Sequence, residues 1–476
     1  MKKAVIPILI AAILCSFLTG CGDTLPDGCE TYDVMVQGAL FGGKGDDRIK
    51  TEVSFDFGWV TSADNTKYNK ELAAFAAILS DDVYFRTKDL DKGTQNRILF
   101  DGENEEEYDQ TAFLKNVGFS DVQFIESHKA KEYAGDNNDS ATLLLAHTIV
   151  DETYDLYAVI VRGCFSIQEW VSVFDPGCDS ETYTELTGEH PEWTDKTAYK
   201  GMDIAKNRAL AFINGFITQN DDPKYENCML ITGHSRGGGI ANMIGAEMEN
   251  RKDIRSYTYT FNAPGVTTDE KSGEYRTVFN IFDSNDYYVD PLPFGKEEFY
   301  RYGRDITLAI TDSDEVKAEI TKLKGRDDFI SLDAKAKSEF EDLFGQCFPD
   351  RASLYHMTTV TQTFDTEEAA AAYAEQCLTL IGSENGLGLE GFCSIESSET
   401  EGKYVVSMKY CGAAILISFA KSLAYGEAAG EAAIELFKED TAACEMLDFL
   451  MTNAAGINGG HLLINSFVLC RYGTLE

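Results

Sequence analysis

The sequence predicts an α/β fold, a mostly parallel sheet with helices packed on both of its faces. Three observations carry this expectation. Between residues 156 and 282, short apolar runs alternate with longer segments of helical period. Leu156–Val161 is apolar throughout, as a strand buried on both faces is. A glycine-rich turn at 231–239 joins one such run directly to a helix.

In chain order, the N-terminus comes first. Lys2 and Lys3 precede an apolar stretch at 4–18 broken by Pro7. That stretch is too short to span ~30 Å of hydrocarbon as a stable helix, so 1–20 reads as a signal peptide. Leu18-Thr19-Gly20-Cys21 resembles a bacterial lipobox. The resemblance implies lipid on the Cys21 sulfur, residues 21–32 as a tether, and an exported protein anchored to a membrane. No other apolar run is long enough to span one; Cys411–Ala420 fits a buried helix better.

Residues 67–85 read as an amphipathic helix, with Leu72, Phe75, Ala76 and Leu79 on one face. Phe113–Val117 and Val122–Phe124 flank a Gly-Phe turn. Leu156–Val161 is a buried strand bounded by Asp155 and Gly163, and 200–217 a helix with Ile204, Leu210, Ile213 and Ile217 on its apolar side. Cys228–Thr232 is a second buried strand, Ile240–Met248 a helix, and Tyr257–Phe261 and Thr277–Phe282 two more strands. Beyond about 305 the character changes. Residues 312–345 and 366–381 are helical and charged, 403–410 is strand-like, and 411–451 is Ala-rich helix. The expected organisation is a core domain of 33–305 plus 452–476, with 306–451 a mainly helical insertion and a candidate lid or cap.

Composition excludes some functions. There are 41 Lys+Arg against 80 Asp+Glu, so the net charge is 41 − 80 = −39 at pH 7. Such a chain repels phosphate backbones, which argues against nucleic-acid binding. With 44% hydrophobic residues it has enough apolar side chain for one large core or two modest ones. Of 12 cysteines, Cys15 and Cys21 fall in or next to the signal, and the other ten are scattered with no CxxC. That spacing argues against a metal cluster, and no cofactor is expected. Disulfides and free buried thiols both fit it.

The chemistry is concentrated in Ile231-Thr232-Gly233-His234-Ser235-Arg236-Gly237-Gly238-Gly239. It follows an apolar strand and opens an apolar helix, the context that a G-x-S-x-G nucleophile elbow requires. Gly233 and Gly237 allow backbone to pack against the sharp turn that lifts the Ser235 hydroxyl off the sheet. Backbone N–H groups of the following helix then point at any oxygen that becomes negative.

With this elbow the sequence resembles the class 3 lipase family, α/β-hydrolase-like enzymes of the fungal triacylglycerol lipase type. Three more blocks carry the resemblance. Val161-Arg162-Gly163-Cys164-Phe165-Ser166 through Trp170 is similar to the family's R-G-[ST]-x-S-x-x-x-W segment. Tyr259-Thr260-Phe261-Asn262-Ala263-Pro264-Gly265 is similar to Y-T-F-G-x-P-R. Val278-Phe279-Asn280 through Asp286-Tyr287-Tyr288-Val289-Asp290-Pro291-Leu292-Pro293 is similar to V-N-x-x-D-x-V-P-x-L-P. The four blocks stand in family order over 156–293; residues 305–455 show no such likeness.

The resemblance implies Ser235 as nucleophile, Asp286 as the acid that orients a base, and a histidine as that base. Asp283 keeps the family spacing from Asn280 and is the alternative acid, with Asp290 a third acid nearby. Family order leaves His461 and His356 as bases; His461 has the C-terminal placement, and His356 lies in the divergent lobe. His128, His147 and His190 come too early, and His234 sits inside the elbow. The oxyanion hole falls to the backbone N–H groups of Arg236 and Cys164, where the family usually has Leu and Thr or Ser. The expected activity is hydrolysis of carboxylic esters, lipid esters ahead of acyl groups on sugar or peptide. The altered Cys164 and Arg236 positions motivate an alternative, a non-catalytic surface lipoprotein that uses the scaffold to bind. The sequence does not specify oligomeric state.

Overall fold

The computed structural model describes residues 29–37, 48–84, 111–126, 141–164, 176–177, 193–282, 286, 298–310, 334–382, 386–389, 391–425, 427–453, 461 and 463–475, with isolated positions at 169–173 and 313–322. In chain order these form β1 (Glu30–Gln37), β2 (Arg48–Phe55), α1 (Lys70–Asp82), α2 (Ala112–Val117), β3 (Asp121–Glu126), β4 (Thr142–Val150), β5 (Tyr154–Val161), α3 (Lys200–Asn220), β6 (Glu226–His234), α4 (Arg236–Asn250), β7 (Ile254–Phe261) and β8 (Val278–Ile281). There follow β9 (Arg304–Ile306), β10 (Leu308–Ile310), α5 (Ala334–Cys347), β11 (Met357–Phe364), α6 (Glu367–Ile381), β12 (Cys393–Thr400), β13 (Lys403–Cys411), α7 (Gly412–Tyr425), α8 (Glu427–Leu436), α9 (Thr441–Thr452), α10 (Leu463–Tyr472) and β14 (Gly473–Leu475).

A seven-stranded sheet runs β3-β4-β5-β6-β7-β8-β9. β3, β4 and β5 pair antiparallel, and every pair from β5 to β9 is parallel. The fold is α/β-hydrolase-like, a mixed and mostly parallel sheet between helix layers. Alternation within β5 shows why both faces are covered. Tyr157, Val159 and Val161 point into one apolar cluster with Met229 and Ile231 of β6, Ile213 of α3, and Ile240 and Ile244 of α4. Leu156, Ala158 and Ile160 point into another with Leu72 and Phe75 of α1 and Phe467 and Val468 of α10. A strand buried on both sides has no polar alternation, so it reads as a continuous apolar run.

Local signals set the helix ends. The Asn69 side chain caps α1 by accepting from the Leu72 N–H at 3.0 Å, and Asp440 caps α9 through Ala443 N–H at 3.0 Å. Gly118 closes α2 at φ +116°, a left-handed conformation that glycine adopts without a Cβ clash.

Residues 30–32, read as the end of a tether, open β1, which pairs along its whole length with β2. Among the described residues the segment 306–451 is mainly helical, and it also holds a three-stranded antiparallel sheet, order β11-β13-β12, backed by helices. The outer faces of β11 and β12 are Thr- and Ser-rich and exposed, so they lack the apolar runs that mark buried strands. β10 also lies inside this segment, yet pairs with β14 at the C-terminus. Phe340 and Phe344 of α5, Leu447 of α9 and Ile415 of α7 belong to the same apolar cluster as α3 and α4. The nine described cysteines are free. Among the described residues, no helix is long and apolar enough to cross a membrane. The signal peptide and Cys21 lie outside the described residues.

Candidate active site

The elbow forms where β6 ends and α4 begins. Ser235 sits between them at φ 58°, ψ −130°, a conformation that costs a non-glycine residue on the order of 1–3 kcal/mol. Backbone bonds hold it there, with Ser235 N–H donating to Phe261 O at 2.9 Å and Gly239 N–H to Ser235 O at 3.0 Å. Close approach explains the flanking glycines. A Cβ on Gly233 would lie 2.4 Å from Gly237 O, and one on Gly237 would lie 2.3 Å from Val161 O. Both obstacles are backbone, so a methyl group there would push β5, β6 and α4 apart.

Asp286 and His461 converge from distant parts of the chain. Asp286 follows β8, two strands from β6, and His461 precedes α10. Both are fully buried, and His461 Nδ1–H donates to Asp286 Oδ2 at 2.7 Å. This commits Nδ1 and leaves Nε2 as the nitrogen for proton exchange. Asp283 and Asp290 lie outside the described residues, as do His128 and His190. His356 is exposed at the head of β11, beside Asp350, in the lobe. His147 bonds Asp155 at 3.0 Å near the start of β5, away from the elbow.

His234 holds His461 from behind. Its Nε2 lies 2.9 Å from the carbonyl oxygen of His461. A carbonyl only accepts, so Nε2 carries the hydrogen, and Nδ1 accepts from the Tyr84 hydroxyl at 3.2 Å. Burial first, and the nearby His461 second, push the His234 pKa well below its usual 6.5. Below pH 6.5 the unfolded chain binds a proton at His234 that the folded chain refuses. The stability tied to its neutral form is therefore present above 6.5 and lost as pH falls toward the folded value. The loss is at most about 1.4 kcal/mol per pH unit. Unfolding measured between pH 7 and 5 should show a shallower slope for His234→Gln than for the parent; equal slopes would refute this.

The proposed oxyanion donors also come together. Val161 of β5 is in register with Gly233 of β6, so Cys164 and Arg236, which follow those strands, emerge at the same end of the sheet. Arg236 is the first residue of α4, where the N–H has no partner within the helix. Its side chain is 1% exposed and Cys164 6%. Burial pushes the Cys164 thiol up, opposed by Arg236 and reinforced by Glu169. The thiol therefore stays protonated. Arg162 and Glu169, also buried, approach to 3.7 Å.

Against known families, residues 158–291 match the model described as lipase (class 3). This segment belongs to the class 3 lipase family. Among solved structures, the chain is similar to a fungal lipase in an inhibitor complex, with 16% identity over 52% of this chain and 82% of that one and a TM-score of 0.32. It is also similar to a Rhizomucor miehei lipase propeptide complex, with 18% identity over 57% and 77% and a TM-score of 0.31. A mono- and diacylglycerol lipase from Aspergillus oryzae is 14% identical over 52% and 82%, with a TM-score of 0.34. No curated protein matches the chain.

Set against the class 3 lipase pattern, the departures have a physical reading. Cys164 replaces a hydroxyl that can donate with a weaker thiol donor, while the backbone N–H remains. Arg236 replaces Leu, and its side chain is directed into the interior, away from bulk solvent. Asn262 stands where the pattern has Gly, at φ 48°. Asn is among the few residues that tolerate this conformation. That substitution was the one sequence signal for a further polar contact at the site; nothing in the sequence marked Tyr84 or Ser466.

Proposed function

We propose that this protein is a serine hydrolase of carboxylic esters, with acylglycerol lipid esters as its substrate class. The observation that carries the reading is the buried Asp286–His461 pair at 2.7 Å, set against an elbow whose serine is held in a strained conformation. Ser235 Oγ attacks the acyl carbon while His461 Nε2 takes its proton. Asp286 holds the imidazole and stabilises the imidazolium. The negative oxygen of the tetrahedral intermediate faces the backbone N–H groups of Arg236 and Cys164. Collapse breaks the ester C–O bond, and the imidazolium returns the proton to the departing alkoxide. Water then attacks the acyl-enzyme by the same proton path, releasing the carboxylic acid and restoring Ser235.

A fluorophosphonate probe tests this, because it reacts with serines already activated by a base. Peptide mapping should find the label on Ser235. No label, with or without detergent, would overturn the reading in favour of a binding module. We further propose export and anchoring through Cys21, from the lipobox-like Leu18-Thr19-Gly20-Cys21. Radiolabelled palmitate fed to expressing bacteria should enter the protein and be absent from Cys21→Ser; equal incorporation in both would exclude this anchor.

A further inference from the structure

We propose that Asn262 is a positioning residue for the reaction, its side-chain amide holding the carboxylate of Asp286 in place for His461. This rests on the triad reading above. Asn262 follows β7 and is fully buried. Its Nδ2–H donates to Asp286 Oδ2 at 2.5 Å, the oxygen that also accepts from His461 Nδ1 at 2.7 Å. Its Oδ1 accepts from the Ser466 hydroxyl at 2.6 Å. The backbone N–H of Asn262 donates to Ile281 O at 2.9 Å, which ties the residue to the end of β8, the strand that leads to Asp286.

These contacts form a closed circuit. Ser466 is on α10, His461 just precedes that helix, and the path between them runs through Asn262 and Asp286. The amide has one orientation. A carboxylate accepts and cannot donate, so it requires Nδ2, which directs Oδ1 to the hydroxyl. The backbone conformation points the same way. At φ 48° glycine would be at ease, so a buried Asn engaged at both ends of its amide is kept at some conformational cost. Fully satisfied buried networks of this kind rigidify their members.

The arrangement has two effects. It removes rotational freedom from the Asp286 carboxylate, and it places two donors on one oxygen. The second donor takes up part of the charge on that oxygen, which would otherwise act on the imidazolium alone. The titratable groups that the described residues set against the His461 ring are Asp286 and His234, whose ring lies 4.9 Å away and which burial keeps neutral. Loss of the Asn262 donor therefore acts through Asp286.

The test is the pH–rate profile of the full mature chain on a soluble p-nitrophenyl ester, for wild type, Asn262→Gly and Asn262→Asp. Glycine suits the backbone, so Asn262→Gly should fold, checked by thermal unfolding. We expect its kcat to fall about 10- to 100-fold, the range for losing one hydrogen bond to a charged group, with KM within about twofold of wild type on the same grounds. We expect its acid limb to move to higher pH, a change that a merely structural role would not produce. Asn262→Asp keeps the shape but donates only when protonated, so its kcat should recover relative to wild type as pH falls. An Asn262→Gly enzyme with wild-type kcat and acid limb would overturn the proposal. If that variant does not fold, an Asn262→Asp profile superimposable on wild type overturns it instead. A wild-type chain that neither turns over ester nor labels at Ser235 overturns the triad reading, and this inference with it.

Discussion

Replacing Ser235 with alanine should lower ester turnover by about 10⁴-fold or more, the scale set by removing a nucleophile that acts as one unit with its base. The fold should survive. Both described hydrogen bonds of Ser235 run through its backbone, and alanine meets the same conformational demand at φ 58°. Circular dichroism and thermal unfolding close to the parent, together with loss of fluorophosphonate labelling, would establish that the hydroxyl alone is missing. Retention of turnover within tenfold in a folded variant would remove Ser235 from the mechanism.

The second large effect is expected from Asp286→Asn. The side chain keeps its size, but a neutral amide replaces the carboxylate that receives both His461 Nδ1–H and Asn262 Nδ2–H. An amide that turns its carbonyl to these donors leaves the imidazolium without a counter-charge. One that turns its NH₂ to them faces donors with a donor and favours the wrong tautomer of the base. Either way kcat should fall by about 10⁴-fold, as it does when the acid of such a triad becomes an amide. His356→Ala should leave kcat unchanged, since His356 is exposed in the lobe. A large loss in His356→Ala, or turnover within tenfold of wild type in Asp286→Asn, would reassign the base or the acid.

Much of the central sheet and of the elbow was legible in the chain because its signals are local. The elbow needs small residues at fixed offsets from one serine, and Gly233 and Gly237 meet backbone at distances that admit no Cβ. The central strands needed only apolar runs, since both faces are buried. In the lobe, local signals marked α6, β13 and the helices after it but missed β11 and β12. There β11 and β12 expose Ser and Thr rows, and their partner β13 lies 30 residues or more from parts of β11. The β11–β13 pairing is non-local, while β12 joins β13 in a tight hairpin and both β11 and β12 have the composition of exposed surface. β10 and β14 illustrate the same limit, three-residue strands joined across most of the lobe.

The identity of the elbow, the order of Ser235, Asp286 and His461 and the two departures at Cys164 and Arg236 were properties of the sequence alone. Each depends on residue type at a spacing that backbone geometry imposes. Tertiary structure alone decided that His461 and not His356 meets Asp286, that His234 bonds the carbonyl of His461, and that Asn262 and Ser466 complete the circuit. Those facts depend on how β7, β8 and α10 pack together. Hydrogen bonds a few ångströms long select among residues up to 227 positions apart at this site, and no spacing rule reaches that far.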